Sequence, residues 1–363
     1  MVRIELKEIV SNYDNKRKAL NAVERGNKKT NPQYPYYGAN GIVDFIDEYI
    51  FDEELLCIAE DGGNWGYKQS CSYIANGKYW VNNHVHVLKP KKNVEIKYLM
   101  YYLNYTDLTS YITGTTRGKL TRTALDKIQI NLPELEIQKE IVIILDKIVT
   151  MIDKKKKQIN LLEELVKSRF IEMFGDPIKN DKGWEESYLK NLSVIIMGQS
   201  PPSNSYNNIG KGLPFYQGNI DFGDKYPKLN KFCSEPLKIA KKKSILMSVR
   251  APVGEINITN WDCCIGRGLC SLELAESLNI EYLYNYLKNI IVTVKSKSRG
   301  STFKSINKLE IENIRVLLPP LSLQNEFSQF VEKTDKLKFE AEKSLKEMEN
   351  LYESLMQKFF KQN

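Results

Sequence analysis

Apolar residues recur on a seven-residue frame in two stretches of the chain, and each stretch predicts a long amphipathic helix. The first, after Pro133, carries Ile141, Ile144, Ile148, Met151, Leu162 and Leu165 on that frame. The second, after Pro320, carries Phe327, Phe330, Leu337, Met348, Leu351 and Leu355. Few prolines or glycines interrupt either, and Phe174-Gly175-Asp176-Pro177 predicts the first stop, since Gly accepts a left-handed backbone and Pro cannot continue a helix. Both stripes weaken in the middle, at Lys155 and Gln158 and at Ala341 and Ser344. An antiparallel pair would bring middle to middle and set Lys154 to Lys157 near Glu340, Glu342 and Glu347, which fixes orientation more than it adds stability. Ahead of each helix lie short apolar or β-rich runs (ELLCIAE, YWVNNHVHVL, SILMSV, IRVLL) divided by Gly, Asn and Pro clusters, which read as strands, with a short helix before the last strand. Each helix thus follows an α+β domain.

The chain says nearly the same thing twice. GTTRGKLTRTAL (Gly114 to Leu125) matches GSTFKSINKLEI (Gly300 to Ile311), and INLPELEIQKEI matches VLLPPLSLQNEF, placing Pro133 on Pro319 and Gln138 on Gln324 at an offset of 186. The same offset puts Phe170, Met173 and Phe174 on Met356, Phe359 and Phe360, with no gap between 114 to 174 and 300 to 360. Upstream the match is looser. IKYLMYYL answers IEYLYNYL, YPYYGANGI answers LPFYQGNI, and ELLCIAEDGG resembles SILMSVRAPVG only in pattern. Self-similarity over this length marks a duplicated module; the helices share one task and the diverged segments before them have different ones.

Composition narrows the class. With 363 residues, 42% hydrophobic and 27% charged, two or three ordered domains are expected. No run approaches the roughly 18 apolar residues of a membrane span, and MVRIELKEIV lacks a signal-peptide core, so no membrane role and a cytoplasmic location are expected. Six cysteines without a CxxC pair, and only two histidines, give no zinc spacing, so buried free thiols are expected. The net charge of +8 is distributed unevenly. Residues 1 to 132 carry 18 Lys and Arg against 15 Asp and Glu, and residues 177 to 318 carry 20 against 13, whereas the helical stretches 133 to 176 and 319 to 363 are each at −1. The globular parts are where a polyanion would bind.

Two diverged α+β domains, each closing with a GTT or GST loop, a strand, an LPxL segment and a long helix, resemble the DNA specificity subunit of Type I restriction-modification systems. The resemblance covers essentially the whole chain and is carried by GTTRGKL/GSTFKSI, LPELEIQKEI/LPPLSLQNEF and YPYYGANGIVDFIDEYIFDEELLCIAEDG (Tyr34 to Gly62). It implies an α+β fold of two pseudo-repeated target-recognition domains, 1–132 and 177–318, separated by long helices, 133–176 and 319–363, that pair as an antiparallel coiled coil. It implies a non-catalytic subunit whose domains each read half of a bipartite double-stranded DNA site. The helices, about 60 Å long at 1.5 Å per residue and so longer than the ~34 Å of a DNA turn, would space the heads and dock two methyltransferase subunits. A restriction and translocation subunit joins where the system has one. No cofactor is expected in this chain; the partners would use S-adenosylmethionine, and ATP with magnesium if a motor is present. One departure is that Lys139 becomes Asn325 in the second copy, so partner contacts need not be fully equivalent.

Candidate DNA contacts combine a loop with side chains that reach bases or phosphates. Arg117, Lys119 and Arg122 qualify in the first domain, with Lys304, Asn307 and Lys308 at the matching loop of the second. A solvated turn steadying the junction of domain and helix explains the same loop equally well. Further candidates are Arg17, Lys18, Arg25, Lys68, Gln69 and Arg250, each of which singly is more often a surface charge. On the helices, Lys139, Lys147 and Lys167 are candidate partner contacts. NPQY (Asn31 to Tyr34) is close to an adenine methyltransferase motif but differs at its third residue and has no glycine-rich cofactor loop, so a turn is expected; GGNWGYKQS lacks P-loop spacing; His84 and His86 have no third ligand for a metal. The tyrosines of YPYY belong to the core. Two other readings compete: a coiled-coil scaffold without DNA readout, and a stand-alone restriction nuclease, which needs a carboxylate and lysine constellation at strand spacing that the chain does not offer.

Overall fold

A computed structural model describes residues 2–114, 116–297 and 305–361. The two long helices run Leu135–Phe174 and Leu321–Phe360, 40 residues each. The first stops at Gly175, whose φ is +78° and whose N–H donates to the Ile171 carbonyl at 2.8 Å. A Cβ there would lie 2.0 Å from Asp181 Oδ1, so only glycine fits.

The chain forms two compact units, cut inside both helices: Met1–Lys155 with Ser344–Asn363, and Lys156–Lys343. In the first, Val2–Glu5 pairs antiparallel with Gln129–Leu132. One four-stranded sheet has the order Val10–Asn12, Val85–Pro90, Leu55–Ala59, Ser72–Ala75. Another has the order Gly41–Ile46, Tyr34–Gly38, Lys78–Val81, Phe51–Asp52, with a parallel pair at its centre. The second unit repeats this plan. Glu185–Tyr188 pairs with Arg315–Leu318, one sheet runs Ser193–Met197, Leu269–Leu274, Ile245–Ser248, Ile256–Ile258, and another is centred on the parallel pair Leu213–Tyr216 and Cys263–Ile265. The expected α+β class and strands are present, as are the short helices Arg122–Asp126 and Lys308–Glu312 before each last strand. All six cysteines are buried free thiols, and burial pushes the Cys57 thiol up to about 12.

Each head is fastened to the start of one helix and the end of the other. Gln138 is fully buried; its amide oxygen accepts the Glu95 N–H at 2.8 Å and its nitrogen donates to the carbonyls of Pro133 and Asn93. Gln324 repeats this in the second unit, accepting from the Asn279 N–H at 2.8 Å and donating to the Pro319 carbonyl at 2.9 Å. At the helix ends, Phe360 packs against Tyr98, Tyr102 and Tyr105 of the first head, and Phe174 against Tyr282 of the second. Ion pairs add to the second unit: Lys225 holds Glu281 at 2.8 Å and Asp335 at 2.5 Å. Burial works against the Lys225 charge, but these two carboxylates outweigh it and raise its pKa.

The buried faces of the helices keep Ile141, Ile148 and Phe327 of the seven-residue frame read in the sequence but are rotated from the rest of it. Ile141, Leu145, Ile148 and Ile152 are buried on the first helix and Phe327, Val331 and Thr334 on the second, a four-three spacing. Ile144, Met151, Leu165, Leu337 and Leu351 are exposed instead. The reason is that the helix packs on its head as well as on its partner helix: Ile141, Val142 and Leu145 share one core with Tyr98, Leu125, Met356 and Phe360. A face set by two neighbours is wider than a coiled-coil seam and centred elsewhere.

Truncating Phe360 to Ala is expected to cost about 3–5 kcal/mol, the usual range for a buried phenylalanine. The loss should fall on the first unit. Amide hydrogen exchange checks it: protection should drop in Leu55–Ala59 and Val85–Pro90 and stay unchanged in Ile245–Ser248. Equal loss in both sheets would contradict the assignment of Phe360 to the first head.

Candidate nucleic-acid interface

In the first head the chain runs from the strand Leu55–Ala59 through Glu60 and Asp61, and Lys119 and Leu120 pair with these two residues. Leu120 N–H donates to the Glu60 carbonyl at 2.8 Å, and Lys119 bridges both Thr113 and Asp61. The turn needs Gly114, at φ +94°, because a Cβ would lie 2.4 Å from the Arg117 carbonyl oxygen. Gly63 is needed too, since a Cβ would sit 2.4 Å from that of Ala59 while the Trp65 indole N–H donates to the Ala59 carbonyl.

Three candidate cations meet here, each with an acid. Arg17 is only 14% exposed in its side chain; it pairs with Glu60 at 2.6 Å and donates to the carbonyls of Val85 and Asn83. Lys119 takes the other Glu60 oxygen at 3.0 Å. Arg117 pairs with Asp61 at 2.7 Å, and His84 Nδ1 lies 2.8 Å from the same carboxylate. Beneath them His86, fully buried, donates through Nε2 to the Leu120 carbonyl at 2.7 Å and meets Asp14 with Nδ1 at 2.7 Å. Asp14 also accepts the Val87 N–H. Burial tends to raise the Asp14 carboxyl, but the hydrogen bond and charge of His86 outweigh it, so its pKa is lowered. The Glu60 carboxyl is lowered in the same way, against burial, by Arg17 and Lys119. These acids carried no signal in the sequence, because their partners are remote along the chain.

The remaining candidates are held separately. Lys18 is exposed, and its carbonyl accepts the Trp80 indole N–H. Arg25 pairs with Asp44 at 3.1 Å over the Tyr36 ring. Lys68, at φ +59°, reaches Glu353 of the second long helix at 2.5 Å, and Gln69 accepts the Gly66 N–H. Arg122 pairs with Asp126 one turn on. In the second head Asn307 caps the short helix in a capping box with Glu310, and Lys308 lies 3.6 Å from Glu312. Lys304 lies outside the described residues. Arg250 is exposed, bridges Ser305 through its backbone, and has no carboxylate partner among the described residues. On the long helices Lys139, paired with Glu136, Lys147 and Lys167 are all exposed.

Among the described residues, no helix is long and apolar enough to cross a membrane. The Type I restriction modification DNA specificity domain model matches residues 1–164 and again 181–350. A protein of Methanocaldococcus jannaschii named as a candidate type I restriction enzyme specificity subunit, MjaX, is 33% identical over 293 residues, covering 73% of this chain and 69% of that one. A Haemophilus influenzae protein named as a candidate specificity subunit of the same enzyme class is 27% identical over 349 residues, covering 92% and 87%. A chain solved in a study of complex assembly and conformational transition of the type I R-M system matches 99% of this chain and 97% of its own at TM-score 0.60 and 25% identity. The S subunit from M. genitalium shares the fold over 100% and 96%, at TM-score 0.67 and 15% identity.

A pH test follows from the buried acids of the first head. A lowered folded pKa contributes stability that is present above the unfolded value, about 3.9 for Asp, and is lost as pH falls through the folded value. Asp14→Asn should therefore lower stability at pH 7 and flatten the acid loss below about pH 4. Thermal melts of both proteins from pH 3 to pH 7 give the comparison, and parallel curves would count against the Asp14–His86 contact.

Proposed function

The chain belongs to the family of type I restriction-modification DNA specificity subunits, and from that premise we propose that each head reads one half of a split DNA site. Subunits of this family recognise DNA and are not the catalytic members of their complexes. The observation that carries the reading is that two heads of one topology present different side chains on the corresponding face, which is what recognition of two unlike half-sites requires. The helices that join the heads set the spacer and dock two methyltransferase subunits, with a restriction and translocation subunit added where the system has one. Chemistry then belongs to the partners, which use S-adenosylmethionine, and ATP with magnesium for a motor; the complex works in the cytoplasm. The domains that act in recognition are 1–132 and 177–318.

Among the cations, Arg117, Lys119 and Arg250 offer exposed charge to phosphates or bases. Arg17 supports the loop around Asn83 rather than facing DNA. For docking, Lys139, Lys147 and Lys167 lie on helices that also expose Ile144, Met151, Leu165, Leu337 and Leu351. Met151 and Leu337 are related by the repeat, as are Leu165 and Leu351, so four of these five apolar positions form matched pairs, as two identical partners would need.

Exchange of residues 1 to 132 for another recognition domain should change one half of the methylated motif and keep the other. Sequencing of methylated adenines after the exchange is decisive, and a change in both halves would refute independent reading. For docking, the pair Ile144→Glu and Met151→Glu should cut recovery of the methyltransferase subunit at least about tenfold in a pull-down, as loss of buried apolar contact at an interface centre does. Full recovery with folded heads would place the dock elsewhere.

A further inference from the structure

The two parallel strand pairs end at the same place in each head. In the first, Tyr36 and Tyr37 pair with Trp80 and Val81, and Asn82 N–H donates to the Tyr37 carbonyl at 3.1 Å. In the second, Phe215 and Tyr216 pair with Cys264 and Ile265, and Gly266 N–H donates to the Tyr216 carbonyl at 2.9 Å. This register places Gly38 on Gln217, Asn83 on Arg267 and His84 on Gly268. The next strand confirms it independently: Glu60 N–H donates to the His84 carbonyl as Val249 N–H does to that of Gly268, and Asp61 bridges Lys119 as Arg250 bridges Ser305.

The second head builds this corner from glycine. A Cβ on Gly198 would lie 2.2 Å from the Gly266 carbonyl oxygen, and one on Gly268 would lie 2.5 Å from that of Gln217. Three loops therefore pack backbone to backbone, and Ser200 ties two of them, accepting the Arg267 N–H at 3.2 Å and the Gln217 amide at 3.3 Å. In the first head Arg17 holds the equivalent loop through the Asn83 carbonyl. The side chains of Asn83, Gln217 and Arg267 remain exposed, and Arg267 has no carboxylate partner among the described residues. Beside it stands Arg250, where the first head has Asp61.

We propose, resting on the split-site reading above, that the matched positions Asn83 and Arg267 are base readers, and that the residue held there is one determinant of what each head recognises. A guanidinium on a fixed loop, free of an acid, suits the paired acceptors of guanine in the major groove, with the Gln217 amide suited to a neighbouring adenine. An asparagine at the same place suits adenine. Phosphate contacts would not explain why the matched position is cationic in one head and neutral in the other.

The test uses the full chain assembled with its methyltransferase partner and maps methylated sites. Arg267→Lys keeps the charge but loses the two-pronged donor, so discrimination at one guanine of the second half-site should fall roughly 10- to 100-fold while the first half-site is unchanged. Asn83→Ala should relax one position of the first half-site and leave the second intact. Both side chains are exposed, so unchanged thermal melts are expected and keep the comparison free of folding effects. An identical motif with identical preferences in both variants would overturn the proposal. If the unaltered complex methylates no split site, the functional reading itself fails, which is a separate outcome.

Discussion

Neither head closes its own core. The tyrosine wall of the first, Tyr98, Tyr102 and Tyr105, is completed by Phe360 from the far end of the chain, and Tyr282 of the second by Phe174. Burying such a side chain contributes roughly 1.5–3 kcal/mol, a sizeable part of a domain's net stability. The last turn of each long helix is therefore part of a head's core. Gln138 and Phe174 are 36 residues apart, as are Gln324 and Phe360. At 3.6 residues per turn that is about ten turns, so the two anchors of each helix lie on one face of it. The spacing is the same in both copies, and the repeat admits no gap between 114 to 174 and 300 to 360, while the heads have diverged in length and content.

The buried glutamines set the other end of the same span. An apolar residue at Gln138 would leave the Glu95 N–H and the Pro133 carbonyl without this partner in a dry site, and an unpaired buried polar group costs about 1–3 kcal/mol. The amide thus specifies where the helix meets the head as well as how tightly. Charge is handled differently in the two heads. In the first, Arg17, Lys119 and Arg117 are balanced by Glu60 and Asp61, in keeping with its small positive excess. In the second, Arg250 and Arg267 stand without acids among the described residues, in keeping with its larger one.

The duplication, the helix stop at Gly175 and the paired glutamines were legible in the sequence because each depends on local spacing at one offset. The buried helix face was legible only in part: Ile141, Ile148 and Phe327 of the heptad are buried, but the centre of the face is set by the head that packs beside it, and Ile144 and Met151 fit the heptad and still face outward. The role of Arg17 was hidden for a related reason, its acid being Glu60, on another strand. The matched corner was hidden by register. Tyr37 answers Tyr216 and Val81 answers Ile265 in hydrogen bonding, but these pairs do not share the offset of 186 that holds further on.

Specificity can diverge at that corner because its backbone is secured independently of its side chains. The Asn82 and Gly266 N–H bonds to the preceding strand, and the close glycine contacts of the second head, hold the loops whatever projects from positions 83 and 267. Exposed substitutions at such sites change stability by little, commonly within about 0.5 kcal/mol, whereas a change in Tyr36 or Tyr216, fully buried a residue or two away, disturbs packing throughout the sheet. The fold therefore separates the residues that choose a sequence from those that maintain the reader. It also confines the first group to the C-terminal ends of two parallel strands, where side chains from adjacent loops converge on a single surface.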